Sequence, residues 1–287
     1  MSWIPLSIEH RPLLEPLWRT LCLTHDIVLS EYSFANNYLF RHAHHYEILL
    51  EEDFPLVRGV SRKGGAFILP TFDPNTVPEK KLRELLKILP LYPVPNQWIS
   101  AFAALPIQKK CQRYQSDYLY SIEKLRELKG RKLSSRRNLL HQLKNDHQLE
   151  IHSMQDIDVP AAKHILEAWQ AQSLVSLEQN DFYPCQEALS LMAQFNLFGR
   201  ICIADGVPGG FTVGEQLTPT TAILHFSKAL HQFKGLTPFL YEDFASNLAS
   251  ETLWINLEQD LDIPSIRQAK EAYDPDSLAN KWWIFLE

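Results

Sequence analysis

Apolar residues three and four positions apart predict helices in the first part of the chain, and short apolar runs between them predict strands. The first helix is predicted from large apolar residues spaced three and four apart: Leu13, Leu14, Leu17, Trp18 and Leu21. The predicted helices cover residues 6–23, 34–41 and 80–89, and the predicted strands cover residues 46–50, 54–60 and 66–69. Prolines between residues 90 and 106 rule out one regular element there and indicate a seam between two halves.

In the second half, predicted helices alternate with strands that form a hairpin around residues 205–210. The predicted helices cover residues 134–145, 159–172 and 184–195, and the predicted strands cover residues 149–153, 199–204 and 211–217. A strand at residues 222–226, a loop around Gly235, a helix at residues 238–248 and a strand at residues 252–257 follow. This order predicts an α+β fold with mixed, largely antiparallel sheets flanked by helices.

The glycine loop around Gly235 is the strongest candidate for a ligand site. It leads from a predicted strand into a predicted helix, where backbone N–H groups without partners and the helix dipole favour an anion. Pro238 suits the first turn of this helix, and Thr237 is expected to cap it. The loop therefore predicts binding of phosphate or another anion.

Charge is unevenly distributed along the chain. The net charge is −6, yet residues 109–146 contain eleven Lys and Arg against four Asp and Glu, a local +7 that leaves −13 elsewhere. The basic residues Arg131, Lys132, Arg136 and Arg137, with Asn138, gather at the predicted start of a helix, where they repel each other unless an anion lies among them. Phosphate binding and pairing with nearby carboxylates are both open interpretations.

Several classes of protein are excluded by what the sequence lacks. Its apolar runs are too short to cross a bilayer, and its N-terminus does not resemble an export signal. Four scattered cysteines predict neither disulfides nor a zinc site, so a cytoplasmic location is expected. His42, His44 and His45 have no carboxylate or cysteine spaced to complete a metal site. Motifs of nucleotide hydrolases, α/β hydrolases and zinc proteases do not occur.

Four stretches of the chain resemble a known family. They are SEYSFANNYLF (30–40), SDYLYSIEKLRELKGRKLSSRRNLLHQL (116–143), HFSKA (225–229) and NLEQDLDIPSIRQAKEAYDP (256–275). In this order they are similar to the C-terminal domain of phosphatidylglycerol lysyltransferases, and most closely to its stand-alone cytosolic members. The resemblance implies tandem GNAT-like acyltransferase domains, related to Fem-type aminoacyl-tRNA-dependent transferases, with expected bounds 1–110 and 111–287.

The resemblance also implies a cofactor role for the glycine loop. The run Gln232, Phe233, Lys234, Gly235, Leu236, Thr237 is similar to the pyrophosphate loop of acetyltransferases. It departs from that pattern at Thr237, where a Gly or Ala is usual, so acyl-CoA and aminoacyl-tRNA both stay open as donors. No cofactor is assigned with certainty.

Acyl transfer needs a positive group near the developing oxyanion and often a base. Lys228 is the predicted positive group and His225 the predicted base, although a solvated strand-end lysine and a hydrogen-bonded core histidine are the ordinary alternatives. Tyr273 occupies a place where acetyltransferases often keep a tyrosine as general acid.

Polar residues after the last predicted strand complete the candidate site, with Glu258 as a predicted catalytic residue and Asn256, Asp260, Arg267 and Lys270 as predicted substrate-binding residues. Asn256, Glu258 and Asp260 alternate, so an extended backbone would put them on one face. Arg267, Lys270 and Tyr273, spaced three apart on a predicted helix, are expected to lie opposite them. A structural salt-bridge network is the equal alternative.

The sequence therefore supports two hypotheses. The first is an acyl or aminoacyl transferase that moves a group from aminoacyl-tRNA or acyl-CoA to an amine or hydroxyl. The second is a catalytically inactive GNAT-like module that binds RNA or a protein through the basic segment. Contact with a membrane surface and the oligomeric state stay open.

Overall fold

The computed structural model describes residues 2–50, 53–173, 175–177 and 180–287. The chain forms two compact units: unit 1 comprises Met1–Asp117, Gln259–Ile263 and Leu278–Glu287, and unit 2 comprises Tyr118–Glu258 and Pro264–Ser277. Unit 1 thus contains three separate segments, whereas the sequence analysis predicted two continuous domains. The predicted domain boundary after residue 110 stays a prediction.

The first sheet has seven strands among the described residues, in the order β1-β2-β3-β4-β5-β14-β6. Its strands are β1 (Ile4–Pro5), β2 (Glu47–Leu49), β3 (Leu56–Val60), β4 (Ala66–Leu69), β5 (Leu91–Val94), β6 (Ile107–Cys111) and β14 (Trp282–Leu286). The helices of the same part are α1 (Arg11–His25), α2 (Phe34–Leu39), α3 (Arg41–His44) and α4 (Glu79–Ile88). β4 and β5 run parallel, and the other neighbouring pairs in this sheet are antiparallel.

The apolar stripes predicted from the sequence form the core of unit 1. Leu14, Trp18 and Leu21 are buried on α1, whereas Leu13, also among the predicted apolar positions, is exposed. The helix begins later than predicted because residues 8–10 form a 3-10 turn. Its end is set by Asp26, whose left-handed backbone (φ 52°) stops the helix. Leu82, Leu85 and Leu86 are buried on α4, which lies where a helix was predicted at residues 80–89.

The second sheet also has seven strands in the described part of the chain, in the order β13-β7-β12-β11-β10-β9-β8. Its strands are β7 (Asp117–Ser121), β8 (Leu149–Ser153), β9 (Phe198–Ala204), β10 (Val207–Thr218), β11 (Thr221–Ala229), β12 (Trp254–Asn256) and β13 (Ser277–Ala279). The helices are α5 (Ile122–Glu127), α6 (Ser134–Asp146), α7 (Val159–Ala171), α8 (Phe182–Ser190), α9 (Leu236–Ser246) and α10 (Pro264–Glu271).

The predicted hairpin of unit 2 has a tighter turn than expected. Asp205 and Gly206 alone connect β9 to β10, and both have a positive φ, which suits a two-residue hairpin turn. Residues 207–210, predicted as turn, instead pair within the sheet.

One parallel pair of strands in unit 2 positions the predicted site. β11 pairs with β12 only over Thr221–Ile223, because β12 ends at Asn256 while β11 continues to Ala229. The later residues of β11, including His225 and Lys228, therefore lie beyond the end of the neighbouring strand. This is where the sequence analysis expected the site.

Candidate functional site

The glycine loop between β11 and α9 is closely packed. Gly235 has a left-handed backbone (φ 93°) and precedes the first residue of the helix, so Thr237 does not cap it as predicted. A Cβ added to Gly235 would lie 2.2 Å from the carbonyl oxygen of Leu139 on α6. Glycine is therefore required here by the turn and by the close approach of α6.

The other residues of the predicted cofactor loop differ in exposure. Gln232, Lys234 and Thr237 are exposed, whereas Leu236 is buried in the core. The exposed side chains can reach a ligand, and Leu236 can offer only its backbone. The cofactor-binding role of this loop stays a prediction.

His225 lies between two carboxylates. Its Nδ1 donates to Glu258 Oε1 at 2.7 Å and its Nε2 donates to Glu215 Oε1 at 2.9 Å, with the ring fully buried. The register with β10 skips His225, and such a bulge re-aims a side chain. Burial lowers the pKa of the imidazole, but the two carboxylates outweigh it and raise the pKa to about 10.

This arrangement bears on the predicted role of His225. A ring with a pKa of about 10 is charged at neutral pH, and both of its nitrogens already donate hydrogen bonds. A charged group fits this geometry better than a base does. The catalytic assignment of His225 and of its partner Glu258 stays a prediction.

Lys228 has a separate set of partners. Its Nζ donates to both carboxylate oxygens of Asp181, at 2.6 and 2.9 Å, and lies 3.8 Å from the ring centre of Trp169. The side chain is 5% exposed. Lys228 is thus a paired, buried cation of β11 rather than a solvated cap, and its catalytic role stays a prediction.

The polar residues after β12 do not share one face, contrary to the prediction. β12 ends at Asn256, whose Oδ1 accepts a hydrogen bond from the backbone N–H of Glu258 at 2.6 Å. Glu258 has a positive φ of 58°, so the extended alternation stops there. Asp260 belongs to unit 1, where it is buried and receives a hydrogen bond from Arg113 at 3.4 Å.

The helix expected to carry three of the predicted residues is shorter. α10 ends at Glu271, so it includes Arg267 and Lys270 but not Tyr273. Tyr273 is buried against Tyr241, with ring centres 5.0 Å apart, and burial raises the pKa of its hydroxyl. Lys270 lies 5.6 Å from the ring of Tyr118. The substrate-binding roles of Arg267 and Lys270 stay predictions.

The predicted basic cluster is gathered at the start of α6. Arg137 donates to the carbonyl oxygens of residues 128 and 130, and Arg136 stacks 5.4 Å from the ring of Tyr273. Lys132 pairs with Asp274 at 2.7 Å. Arg131 and Asn138 are exposed. The cluster is thus partly neutralised, and its phosphate-binding role stays a prediction.

Unit 1 contains a cleft that the sequence analysis did not identify. It has a volume of about 40 Å³, enough for a few water-sized groups. Its lining is mostly aromatic and polar: Glu31, His44, Tyr46, Ser61, Arg62, Lys63, Phe67, Tyr92, Tyr114, Gln115, Gln259 and Leu261.

Behind this cleft lies a buried group of charges, which we call the Lys281 cluster: Lys281, Glu31 and Asp117. Lys281 Nζ lies 2.5 Å from Asp117 Oδ1 and 2.7 Å from Glu31 Oε2, and all three residues are buried. Burial raises the pKa of the Glu31 carboxyl to about 7, although Lys281 opposes the shift. Of the three, Glu31 lines the cleft.

The sequence offered one signal for the residues of the Lys281 cluster. Glu31 and Asp117 lie within the stretches that carried the resemblance, and Lys281 precedes an apolar strand. Each charged residue is followed directly by an aromatic one, Tyr32, Tyr118 or Trp282, and this was the available signal. Burial of all three in one place follows from tertiary packing, which a single sequence does not display.

Two further features are absent from the described residues. No group of three or more His, Cys, Asp or Glu there could hold a metal ion. None of the helices in that part of the chain is long and apolar enough to span a membrane.

Solved structures share this fold at low sequence identity. A conserved protein of unknown function from Bacteroides thetaiotaomicron VPI-5482 gives a TM-score of 0.83 at 19% identity, with 100% of both chains covered. The C-terminal domain of a putative lysylphosphatidylglycerol synthetase from Agrobacterium fabrum gives 0.63 at 15% identity, covering 95% of this chain and 92% of that one. FemX gives 0.57 at 8% identity, covering 100% and 98%.

These likenesses and the two mixed, mostly antiparallel sheets confirm the predicted GNAT-like tandem fold. A comparison with curated proteins gives no match. The model of the family described as "Phosphatidylglycerol lysyltransferase, C-terminal" matches residues 26–285. Since this match covers far more than half of the chain, the protein belongs to the phosphatidylglycerol lysyltransferase C-terminal-domain family, as the resemblance predicted.

Proposed function

We propose that the protein is an acyl or aminoacyl transferase that moves its group from aminoacyl-tRNA or acyl-CoA to an amine or hydroxyl acceptor. The observation that carries this proposal is the family match over residues 26–285, which includes most of both units. The acyltransferase-like fold supports it, although a fold hosts many reactions and does not itself fix one. A cytoplasmic location is part of the proposal.

Two buried cations of β11 support transferase chemistry. Acyl transfer passes through a tetrahedral intermediate, and a fixed positive group stabilises its oxyanion. Lys228 is held in place by Asp181 and Trp169, and the charged ring of His225 by two carboxylates. We assign the oxyanion role to Lys228, and a supporting electrostatic role to His225 with Glu258.

The donor is proposed to lie near the start of α6 and the glycine loop. Arginine forks suit bidentate contacts with phosphate, and Arg131 is exposed at this end of the helix. A tRNA or nucleotide phosphate would supply the anion that the remaining cations lack. Tyr273 is proposed as general acid, since its high pKa keeps the phenol protonated at neutral pH.

Donor binding is tested by thermal unfolding of the purified protein with a panel of aminoacyl-tRNAs and acyl-CoAs. A donor at about 100 times its dissociation constant adds about 2.7 kcal/mol of stability. A clear upward shift in the melting temperature with one donor class is expected. No shift with any member of either panel would contradict the proposal.

The role of Lys228 is tested with the variant Lys228→Met, which keeps the length of the side chain and removes its charge. Loss of one oxyanion donor lowers kcat by about 100-fold or more, so transfer should fall by that factor. Lys87→Met is the matched control, because Lys87 is exposed on α4 in unit 1. Equal activity in the two variants, with both folded, would refute the role of Lys228.

The second hypothesis, a binding module without catalysis, rests on the cations at the start of α6, of which Arg131 and Lys132 are exposed and Arg136 and Arg137 are half-buried. It predicts that Arg136→Ala with Arg137→Ala abolishes RNA binding while Lys228→Met leaves binding intact. Phosphate contacts would also make the affinity fall steeply with salt concentration. Transfer activity in the intact protein would decide against this hypothesis.

A further inference from the structure

The cleft of unit 1 has the walls of a cation site. Phe67 lies edge-on to both Tyr46 and Tyr92, with ring centres 6.2 and 5.2 Å apart. All three rings line the cleft. The faces of aromatic rings carry negative charge density and attract ammonium groups placed within about 6 Å.

Two tyrosine hydroxyls of this cleft have no partner among the described residues. Tyr46 and Tyr92 are 4% and 5% exposed, and no hydrogen bond joins either hydroxyl to another side chain or backbone group of the described chain. Tyr32, another buried tyrosine of unit 1, instead donates its hydroxyl proton to the carbonyl oxygen of Pro93 at 2.9 Å. Both tyrosines line the cleft, and neither hydroxyl is among the fully buried polar atoms without a partner, so both hydroxyls are accessible to a group that enters the cleft.

The floor of the cleft supplies negative charge. The Lys281 cluster sets two carboxylates against one ammonium, so its net charge is −1 when both carboxylates are ionised. The two oxygens of Glu31 offer about four acceptor positions, of which the contacts with Lys281 and the Ser30 hydroxyl use only part. A second cation at Glu31 would balance the charge.

The mouth of the cleft has the opposite sign. Arg62 and Lys63 are exposed there, and Lys63 pairs with Asp262 at 2.8 Å. A ligand with its positive end inward and oxygen atoms outward would match both ends of the cleft. The small volume leaves room for a head group of only a few heavy atoms.

We propose that this cleft binds a compact primary amine as its ammonium form, with the nitrogen donating to Glu31 and packed against Tyr46 and Tyr92. The biological role of this site rests on the proposed function, and the site assigns a compact primary amine as a substrate class. The amine is either the amino group of an aminoacyl donor or the amine of an acceptor. The binding itself does not require that transfer occurs.

Isothermal titration of the full-length protein with small probes tests the proposal. Glycinamide mimics the aminoacyl group, ethanolamine mimics an amine acceptor, and ethylene glycol is the uncharged counterpart of ethanolamine. We expect one of the two amines to bind with a dissociation constant of about 1 mM or lower, and ethylene glycol to bind at least about 10-fold more weakly. Tighter binding of glycinamide would identify the donor, and tighter binding of ethanolamine an acceptor.

Variants locate the binding in the cleft. Glu31→Gln should weaken amine binding at least about 10-fold, since the amide has lost the negative charge. Tyr46→Phe and Tyr92→Phe keep the rings and should each weaken it several-fold. Tyr32→Phe is the matched control and should leave binding unchanged. Circular dichroism of each variant verifies that the fold is retained.

Several results would overturn the proposal. They are no binding of either amine, equal binding of ethylene glycol, or equal effects of Tyr32→Phe and Tyr46→Phe. Failure of the proposed function gives a different result: the amines bind in the cleft, but the protein consumes no acyl or aminoacyl donor. If the protein transfers a group but binds neither amine, only the proposal of an amine site in the cleft is overturned.

Discussion

The two carboxylates around His225 make the stability of unit 2 depend on pH. The pKa of His225 is raised from 6.5 to about 10 in the folded protein, because hydrogen bonds to Glu215 and Glu258 outweigh the effect of burial. A group with a raised pKa contributes stability that is fully present below its unfolded value. For His225 this stability is present below pH 6.5 and is lost as the pH rises towards 10.

The magnitude follows from the size of the pKa change. A shift of about 3.5 pKa units corresponds to about 5 kcal/mol over the whole window, since each unit is worth about 1.4 kcal/mol. The ring is fully buried, so solvent screening does not reduce this figure. Between about pH 7 and pH 8.5 the expected loss is about 2 kcal/mol. Measurements at higher pH would not isolate His225. Burial also raises the pKa of the Cys185 thiol, so this group causes a further loss of stability at high pH.

Two measurements check this prediction. The titration of His225 followed by NMR in histidine-labelled protein should have its midpoint near pH 10. Urea unfolding between about pH 7 and pH 8.5 should show the loss of stability. In Glu258→Gln the free energy of unfolding should change less with pH, because one charged partner of His225 is gone. Asp205→Asn is the control, since Asp205 pairs with the half-exposed His147 instead.

A midpoint near 6.5, or stability that is constant from about pH 7 to pH 8.5, would refute the reasoning. The carboxylates would then not hold the ring in its charged form. His225 would again be available as the base that the sequence suggested.

Two other substitutions test packing and buried charge. Gly235→Ala should destabilise the protein by about 2–5 kcal/mol, because the new Cβ meets Leu139 and the backbone has a positive φ; Gly130→Ala, at a similar φ in open space, should cost only about 1 kcal/mol. Equal losses in chemical denaturation would contradict the packing argument. Lys281→Met should cost about 3–5 kcal/mol near neutral pH and less at about pH 5, where Glu31 is protonated, and a loss of stability independent of pH would count against the buried charges.

Much of the fold follows from local patterns in the sequence. The strand at residues 149–153 and the helix at 134–145 are confirmed almost to the residue, because periodicity and turn residues act locally. The strand predicted at residues 252–257 covers only Trp254–Asn256, so it starts two residues later and ends one residue earlier. The positive φ of Glu258, which no residue type indicates, keeps the extended backbone from continuing. The turn at residues 205–210 was predicted too wide because residues 207–210 pair with the neighbouring strands, which the local sequence does not show.

The candidate site was less accessible to sequence reasoning. The sequence singled out Lys228 and His225, whose catalytic roles stay predictions. It did not show their pairing with Asp181 and Glu258, which lie 47 and 33 residues away in the chain. Gly235 suggested a phosphate loop, and only the packing of α6 shows why glycine is needed for the fold. Charge pairs between distant segments are set by tertiary structure, which spacing in the sequence does not record.

The central claim, transfer of an acyl or aminoacyl group, is tested most directly by following the donor. Purified protein is incubated with aminoacyl-tRNAs or acyl-CoAs labelled in the transferred group, together with a pool of small amines and alcohols. We predict that the label leaves one donor class and appears on an acceptor as an amide or ester, faster than with heat-denatured protein. Label that stays on every donor at the rate of the denatured control would contradict the account.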